Sequence, residues 1–211
     1  MKFQILTIIA ITLTSIAFPS CKKEEVKPVD SVVVTFLKGT AEQKSTGDWT
    51  AIKANDVLPI NSLIRTGKDG VIDISVFGQA GIRLLGGTEF NLNSLQKDKI
   101  FVKVDDGNIL VKVGKLFKGS SVSVVTPTAV AGVRGTEIWG QVTKEKEEGV
   151  FAVRDGAVEI QLNGSTESLV VNKGEAVEIS PVNKTLKSRK AKDAELNAMS
   201  QIDEIKIVES K

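Results

Sequence analysis

Gly70-Val71-Ile72-Asp73-Ile74-Ser75-Val76 is the stretch on which the fold turns. Ile72, Ile74 and Val76 alternate with Asp73 and Ser75. That period of two sets one apolar face of a strand against a core. The same alternation recurs to both sides: Val32, Val34 and Phe36; Ile82 with Leu84; Phe90 with Leu92; Val102 with Val104; Ile109, Val111 and Val113. It continues through Val122 and Val124, then Val158, Ile160 and Leu162, and ends on Val177 with Ile179. Residues 31–180 therefore read as an all-β domain.

Between the apolar runs stand Gly67-Lys68-Asp69-Gly70, Asp105-Asp106-Gly107-Asn108, Arg154-Asp155-Gly156 and Asn163-Gly164-Ser165. Asp, Asn and Gly tolerate positive φ, so each of these predicts a hairpin turn. With strands of about five residues, about ten to twelve would fit. A single flat sheet of that size is unfavourable, which leaves a two-layer, sandwich-like domain or a rolled, solenoid-like one. A glycine-led apolar phrase recurs at Gly70, Gly107 and Gly156, but without the fixed period of a repeat array.

After Pro181 the texture changes to a charged tail, residues 181–211. Leu196, Met199, Ile202 and Ile205 recur every third residue, and Ala191, Ala194 and Ala198 favour helix. A short C-terminal amphipathic helix is expected from about Lys190 to Glu204. It would either pack on the β domain or serve a partner.

The chain has 211 residues, a formal net charge of +2, one cysteine, and neither histidine nor tyrosine. The charge balance gives no footprint for nucleic acid. Lack of histidine removes the usual general base near neutral pH and the commonest transition-metal ligand. No Gly-x-Ser-x-Gly elbow, phosphate-binding loop or dinucleotide fingerprint occurs. Of the carboxylate pairs, Asp105-Asp106 lacks the spacing of a calcium loop. Asp155 and Glu159 lack a sugar platform, since aromatics make up only 5% of the chain. The expectation is a protein that is not an enzyme and needs no cofactor or metal.

Cys21 follows an uncharged run from Phe3 to Phe18, sized for a secretory signal rather than a membrane span. Pro19-Ser20-Cys21 resembles a bacterial lipoprotein box of the looser, spirochaete-like kind, with Phe18 and Pro19 where Leu and a small residue are commoner. The resemblance implies a signal peptide over residues 1–20, lipid on Cys21, and a charged, proline-containing tether over residues 21–30. Lys22 and Lys23 after the cysteine resemble sorting to the outer membrane. A lone cysteine forms no intramolecular disulfide, so the fold must stand on its core.

Trp49-Thr50-Ala51-Ile52, Leu63-Ile64-Arg65-Thr66-Gly67, Ile82-Arg83-Leu84 and Thr88-Glu89-Phe90 resemble the first half of the FecR protein domain. Val124-Val125-Thr126-Pro127-Thr128-Ala129-Val130-Ala131-Gly132-Val133-Arg134-Gly135-Thr136-Glu137-Ile138 resembles its hallmark: a threonine-proline turn, then arginine-glycine-threonine leading into a strand. Within it Thr126, Pro127, Gly132, Arg134, Gly135 and Thr136 are the candidate site residues. Pro127 fixes φ, and Gly132 and Gly135 permit a tight turn or close approach. Arg134 would either clamp carbonyls or a carboxylate such as Glu137 or Glu89, or contact a partner.

Many FecR-like proteins couple an outer-membrane transporter to a sigma factor through a cytoplasmic region and a membrane span. With Met1 and Lys2 as its whole cytoplasmic prefix, this chain is expected not to bind a sigma factor directly. The resemblance implies an exported, lipid-anchored envelope lipoprotein whose β domain binds an envelope or extracellular protein or an envelope polymer. The alternative is a surface-exposed adhesin or structural lipoprotein.

Overall fold

The computed structural model describes residues 31–92, 95–182 and 185–208. The expected signal peptide, Cys21 and the tether lie outside the described residues. The strands are β1 (Val32–Lys38), β2 (Ala41–Lys44), β3 (Thr50–Ala51), β4 (Val57–Leu58), β5 (Leu63–Thr66), β6 (Val71–Val76), β7 (Ala80–Leu84), β8 (Glu89–Asn91) and β9 (Lys99–Val113). They continue as β10 (Ser121–Val125), β11 (Ala129–Val133), β12 (Glu137–Thr143), β13 (Glu148–Asp155), β14 (Ala157–Leu162), β15 (Ser168–Asn172), β16 (Glu175–Ile179) and β17 (Ser188–Lys190), followed by helix α1 (Asp193–Met199). Among the described residues sixteen strands fall within residues 31–180, more than the ten to twelve expected there, in part because β3 and β4, with two residues each, are too short for an alternation to show. Among the described residues no helix is long and apolar enough to cross a membrane.

Hydrogen bonds join the strands into one network that does not close into a barrel. It is bent into two layers. Sheet I runs β4-β1-β6-β7-β9-β12-β13-β16-β17, and sheet II runs β3-β2-β5-β8-β9-β10-β11-β14-β15. All neighbours are antiparallel except β9 with β10. From β10 onward the chain lays down a hairpin in sheet II, then one in sheet I, and repeats. Both layers therefore grow in one direction. The domain is a two-layer sandwich by packing and a rolled winding by chain path, so the two expected forms describe one molecule.

The shared strand corrects one turn assignment. Asp105-Asp106-Gly107-Asn108 is no hairpin but the middle of the fifteen-residue β9. Its first half pairs with β8 and β10, and its second half with β7 and β12. Gly107 makes the crossing at φ +110°, where a Cβ would fall 2.6 Å from the Thr88 Cα. Thr88 Oγ1 accepts the Asn108 N–H and donates to the Asn108 carbonyl, both at 3.1 Å. Gly67–Gly70 and Arg154–Gly156 are likewise corners between sheets, β5 to β6 and β13 to β14. Only Asn163-Gly164-Ser165 closes a true hairpin, β14 to β15. Positive φ serves a corner or a bend as well as a hairpin, so turn chemistry marks a change of direction without naming the sheet that follows.

Between the layers lies the main core, with Ile72, Ile74, Ile82 and Leu84 of sheet I facing Val102, Val122, Val124 and Ile160 of sheet II. Each such fully buried side chain contributes about 1.5–3 kcal/mol of burial energy. A second apolar cluster lies on the other face of sheet I. There Leu110, Trp139, Ala152 and Ala176 are covered by Met199, Ile202 and Ile205.

The tail is thus a third layer, and it begins by adding β17 to sheet I. The helix is shorter than expected, Asp193–Met199, and tightens into a 3-10 turn over Ser200–Glu204. A 3-10 turn repeats every three residues, which matches the spacing of Met199, Ile202 and Ile205. Leu196, one turn earlier, stays exposed. Beyond Ile205 the strap continues over small residues. A Cβ on Gly81 would lie 2.5 Å from Ile205 Cγ2, and one on Gly114 would lie 2.8 Å from Ile207 Cδ1. The Val208 N–H donates to Ser75 Oγ at 2.9 Å.

Candidate functional site

The Thr126–Ile138 phrase forms the β10–β11 hairpin and the step into β12. Thr126 is buried; its Oγ1 accepts the Ala129 N–H at 3.0 Å and donates to the Ala129 carbonyl at 3.1 Å, closing the turn under Pro127. Asn163 of the neighbouring hairpin steadies it, donating from Nδ2 to the carbonyls of Pro127 (2.8 Å) and Thr126 (3.2 Å). Pro127, Thr128, Leu162, Asn163, Gly164, Ser165, Ser180 and Pro181 line an open depression of about 390 Å³ there.

At the other end of β11 the remaining residues separate. Gly132 is an ordinary strand residue, paired with Ser123 and Glu159, and a Cβ on it would meet nothing closer than the Glu159 carbonyl at 3.8 Å. The close approach expected there does not exist. Gly135 does require its glycine, at φ +58°. Thr136 is buried; its carbonyl accepts the Val113 N–H at 3.0 Å, while its hydroxyl has no hydrogen-bond partner among the described residues. Arg134 is exposed between them. Among the described residues it makes no ion pair or hydrogen bond, so it clamps neither Glu137 nor Glu89 in this structure.

Arginine clamps are present, but elsewhere. Arg83 of β7 is buried beside Asp73 of β6, its direct cross-strand neighbour. Nε and Nη2 donate to the two Asp73 oxygens at 2.7 and 2.8 Å, and Nη1 reaches Glu204 of the strap at 2.8 Å. Those bonds to Asp73, above all, raise the guanidinium pKa against the opposing effect of burial. Arg154 joins Glu137 at 3.4 Å to Asp203 at 2.6 Å, and Arg189 joins Glu178 at 2.7 Å to Glu195 at 2.6 Å. The hydrogen bonds from Arg189 hold the Glu195 carboxyl below the usual range although burial pushes it up, and those from Arg154 do the same for Asp203. All three arginines fasten the C-terminal strap to sheet I. Sequence reading missed them as a group, although Asp73 and Arg83, polar members of apolar alternations, were the available signal.

The candidate carboxylates are spread over the surface and engaged separately. Asp106 accepts the Lys144 N–H, Asp155 pairs with Lys173, and Glu159 accepts from the Ser168 hydroxyl. No cluster of three or more Asp, Glu or Cys side chains among the described residues could hold a metal ion. A second depression, of about 490 Å³, is lined by Gly39, Thr40, Glu42, Ile52, Arg65 and Gly67 among others. Arg65 lies 4.1 Å over the Trp49 ring and pairs with Glu42 at 2.6 Å, so that aromatic face is already covered.

The FecR protein family profile matches residues 62–159, from the approach to β5 into the body of β14. This segment is a FecR domain. It includes the strand that crosses between the layers and the whole threonine-proline to arginine-glycine-threonine phrase. No curated protein matches the chain. Two crystal structures described as those of a candidate anti-sigma factor from Parabacteroides distasonis ATCC 8503 share its fold, each at 18% identity and with TM-scores of 0.55 and 0.56. The overlap covers 66% of this chain and 64% of theirs, so the chain spans somewhat under two thirds of each. The matched segment contains Pro127 and the exposed Arg134, whereas residues 162–165, Ser180 and Pro181, which complete the depression, lie beyond it.

Proposed function

We propose that the protein is an exported, lipid-anchored envelope lipoprotein whose FecR domain is a non-catalytic binding or sensing module. The match over residues 62–159 supports the binding or sensing module, and the place of Cys21 after the uncharged run Phe3 to Phe18 supports the anchor. The form of the surface supports the module: among the described residues Arg134 is exposed and unpaired between β11 and β12, next to Gly135 at positive φ and the buried Thr136. An unpaired guanidinium on an exposed loop suits a carboxylate or phosphate on a partner. The partner is an envelope or extracellular protein or an envelope polymer. Direct contact with a sigma factor is not part of the proposal, since an exported domain and a cytoplasmic factor stand on opposite sides of a membrane.

Cys21 supplies the anchor. In fractionated cells Cys21→Ala should leave an unprocessed precursor or release the domain from membranes; a variant processed and membrane-bound like the wild type would refute the anchor. Surface proteolysis of intact cells separates a periplasmic module, which is protected, from a surface adhesin, which is cut. Crosslinking in native membranes, compared between wild type and Arg134→Ala, tests the binding surface: equal capture of the same partner would remove Arg134 from it.

A further inference from the structure

Among the described residues each sheet ends on two edge strands, and three of the four are protected. β3 and β4 have two residues each, with Pro59 directly after β4, and β17 has three, two of them Arg189 and Lys190. Short length, proline and charge are the usual devices that stop an edge from recruiting another strand. β15 has none of them. It is Ser168-Leu169-Val170-Val171-Asn172, five residues without charge or proline, with Val170 53% exposed.

The hydrogen-bond phase shows what this edge offers. Lys173 donates its N–H to the Gly156 carbonyl, and the β14–β15 register pairs Asn172 with Ala157 and Val171 with Val158. In an antiparallel ladder alternate residues bond to a given neighbour, so Leu169 and Val171 face β14 while Ser168, Val170 and Asn172 turn their N–H and C=O groups outward. The Asn172 N–H is taken by Glu175 Oε2 at 2.8 Å. Among the described residues no backbone hydrogen bond reaches the outward groups of Ser168 or Val170.

The segment is complementary to itself. From Glu167 to Lys173 it reads acid, polar, three apolar residues, polar, base, centred on Val170. Turned through a two-fold axis and laid antiparallel on a second copy, Val170 meets Val170, Leu169 meets Val171, Ser168 meets Asn172, and Glu167 meets Lys173, whose ammonium is held within its own chain by Asp155 at 3.0 Å and is shared between the two carboxylates in the pair. Opposite residues in an antiparallel pair share a face and touch, and opposite charges there are favourable. An isologous contact of this kind closes after two subunits.

We propose that β15 is a self-association edge through which two copies of this chain pair antiparallel about Val170, joining their second sheets into one continuous sheet. Glu175 limits the pairing by occupying the Asn172 donor, leaving Ser168 and Val170 to form the inter-subunit bonds.

The test uses the full-length chain, in membranes and after detergent solubilisation. Val170→Cys places two thiols opposite each other at the axis, within disulfide reach of a paired β position. It should give a covalent dimer on mild oxidation, whereas Val130→Cys, in the interior of the same sheet, should not. Val170→Pro removes an outward N–H without touching the β14 ladder, and should convert the sedimenting dimer to monomer. In an Asp155→Asn background, which releases Lys173 from its partner in the same chain, Glu167→Lys should weaken the dimer, and Glu167→Lys combined with Lys173→Glu should restore it, because the exchange re-forms both pairs only when the partner is a second copy. A wild-type chain that sediments as a monomer throughout, equal crosslinking at Val170 and Val130, or a Val170 cysteine captured only by a different protein would each overturn the proposal. Failure of the charge exchange to rescue would do the same even if Val170→Pro did not fold.

Discussion

Sheet I and sheet II are built from the same kind of alternating strand, yet only one is covered on both faces. In β6 and β7 every residue but Val71 is buried, polar ones included, whereas β14 alternates exposed and buried along its length. The difference comes from the C-terminal strap, which brings Met199, Ile202 and Ile205 onto sheet I and fixes them with three arginine links. Among the described residues sheet II has no such cover, and its outer face mixes short or polar groups such as Ser121, Ser123, Gly132 and Gln161 with the exposed Leu63, Phe101 and Val170. Covering a face converts its polar residues from solvated groups into obligatory partners. That is why Asp73 and Arg83 form a buried bidentate pair, while Arg134 makes no ion pair or hydrogen bond among the described residues.

The comparison breaks most visibly at Arg83. Arg83→Met leaves Asp73 buried without its partner, and removing one member of a buried pair costs about 3–5 kcal/mol. Urea unfolding should show that loss, and Arg83→Met combined with Asp73→Leu should recover much of it. A cost below about 1 kcal/mol would mean that water reaches the pair and that the strap is not a true third layer.

Ile202 is next. It is fully buried where the 3-10 turn after α1 packs on sheet I, so Ile202→Ala should cost about 2–5 kcal/mol and expose Trp139, moving its fluorescence to the red. If stability falls while the Trp139 emission stays fixed, the strap contributes energy without covering that face.

A pH titration probes the same strap more gently. Glu195 has a folded carboxyl pKa lowered from the ordinary 4.5, chiefly by its hydrogen bonds from Arg189. A depressed carboxyl contributes stability that is complete above the unfolded value and is lost as pH falls through the folded one. The shifts at Glu178 and Asp203 have the same sign. Strap docking, followed by Trp139 emission, should therefore weaken as pH drops below about 4.5, and Glu195→Gln should flatten the response. An unchanged Trp139 signal down to the global acid transition would separate these ion pairs from docking.

The smallest effect is expected at Arg134. Exposed and unpaired, it should change stability by less than about 0.5 kcal/mol when replaced by alanine. A larger loss would show that the loop does use the guanidinium and would bring the two sheets closer in kind.

Alternation, turn residues and the FecR phrase made much of this molecule legible. Ile72, Ile74, Val76, Ile82 and Leu84 identified their core face because the side-chain period of a strand is a local property. Thr126 and Gly135 were legible for a similar reason, since a closed turn and a positive φ depend on residues within a few positions. Gly132 was misread: a glycine in a strand can mark a close approach, but whether another backbone comes near depends on a neighbouring strand. Gly107 was misread as a hairpin because the same φ bends one long strand from one sheet into the next.

By itself, then, the sequence determined an all-β chain, its core-facing residues, its points of turning and an amphipathic C-terminal segment. Only the tertiary structure decided which sheet each strand joins, that β9 belongs to both, and that Asp73 and Arg83 lie under the strap rather than in water. Period and turn chemistry are written in neighbours along the chain, whereas pairing and cover are settled between residues such as Arg83 and Glu204, 121 positions apart.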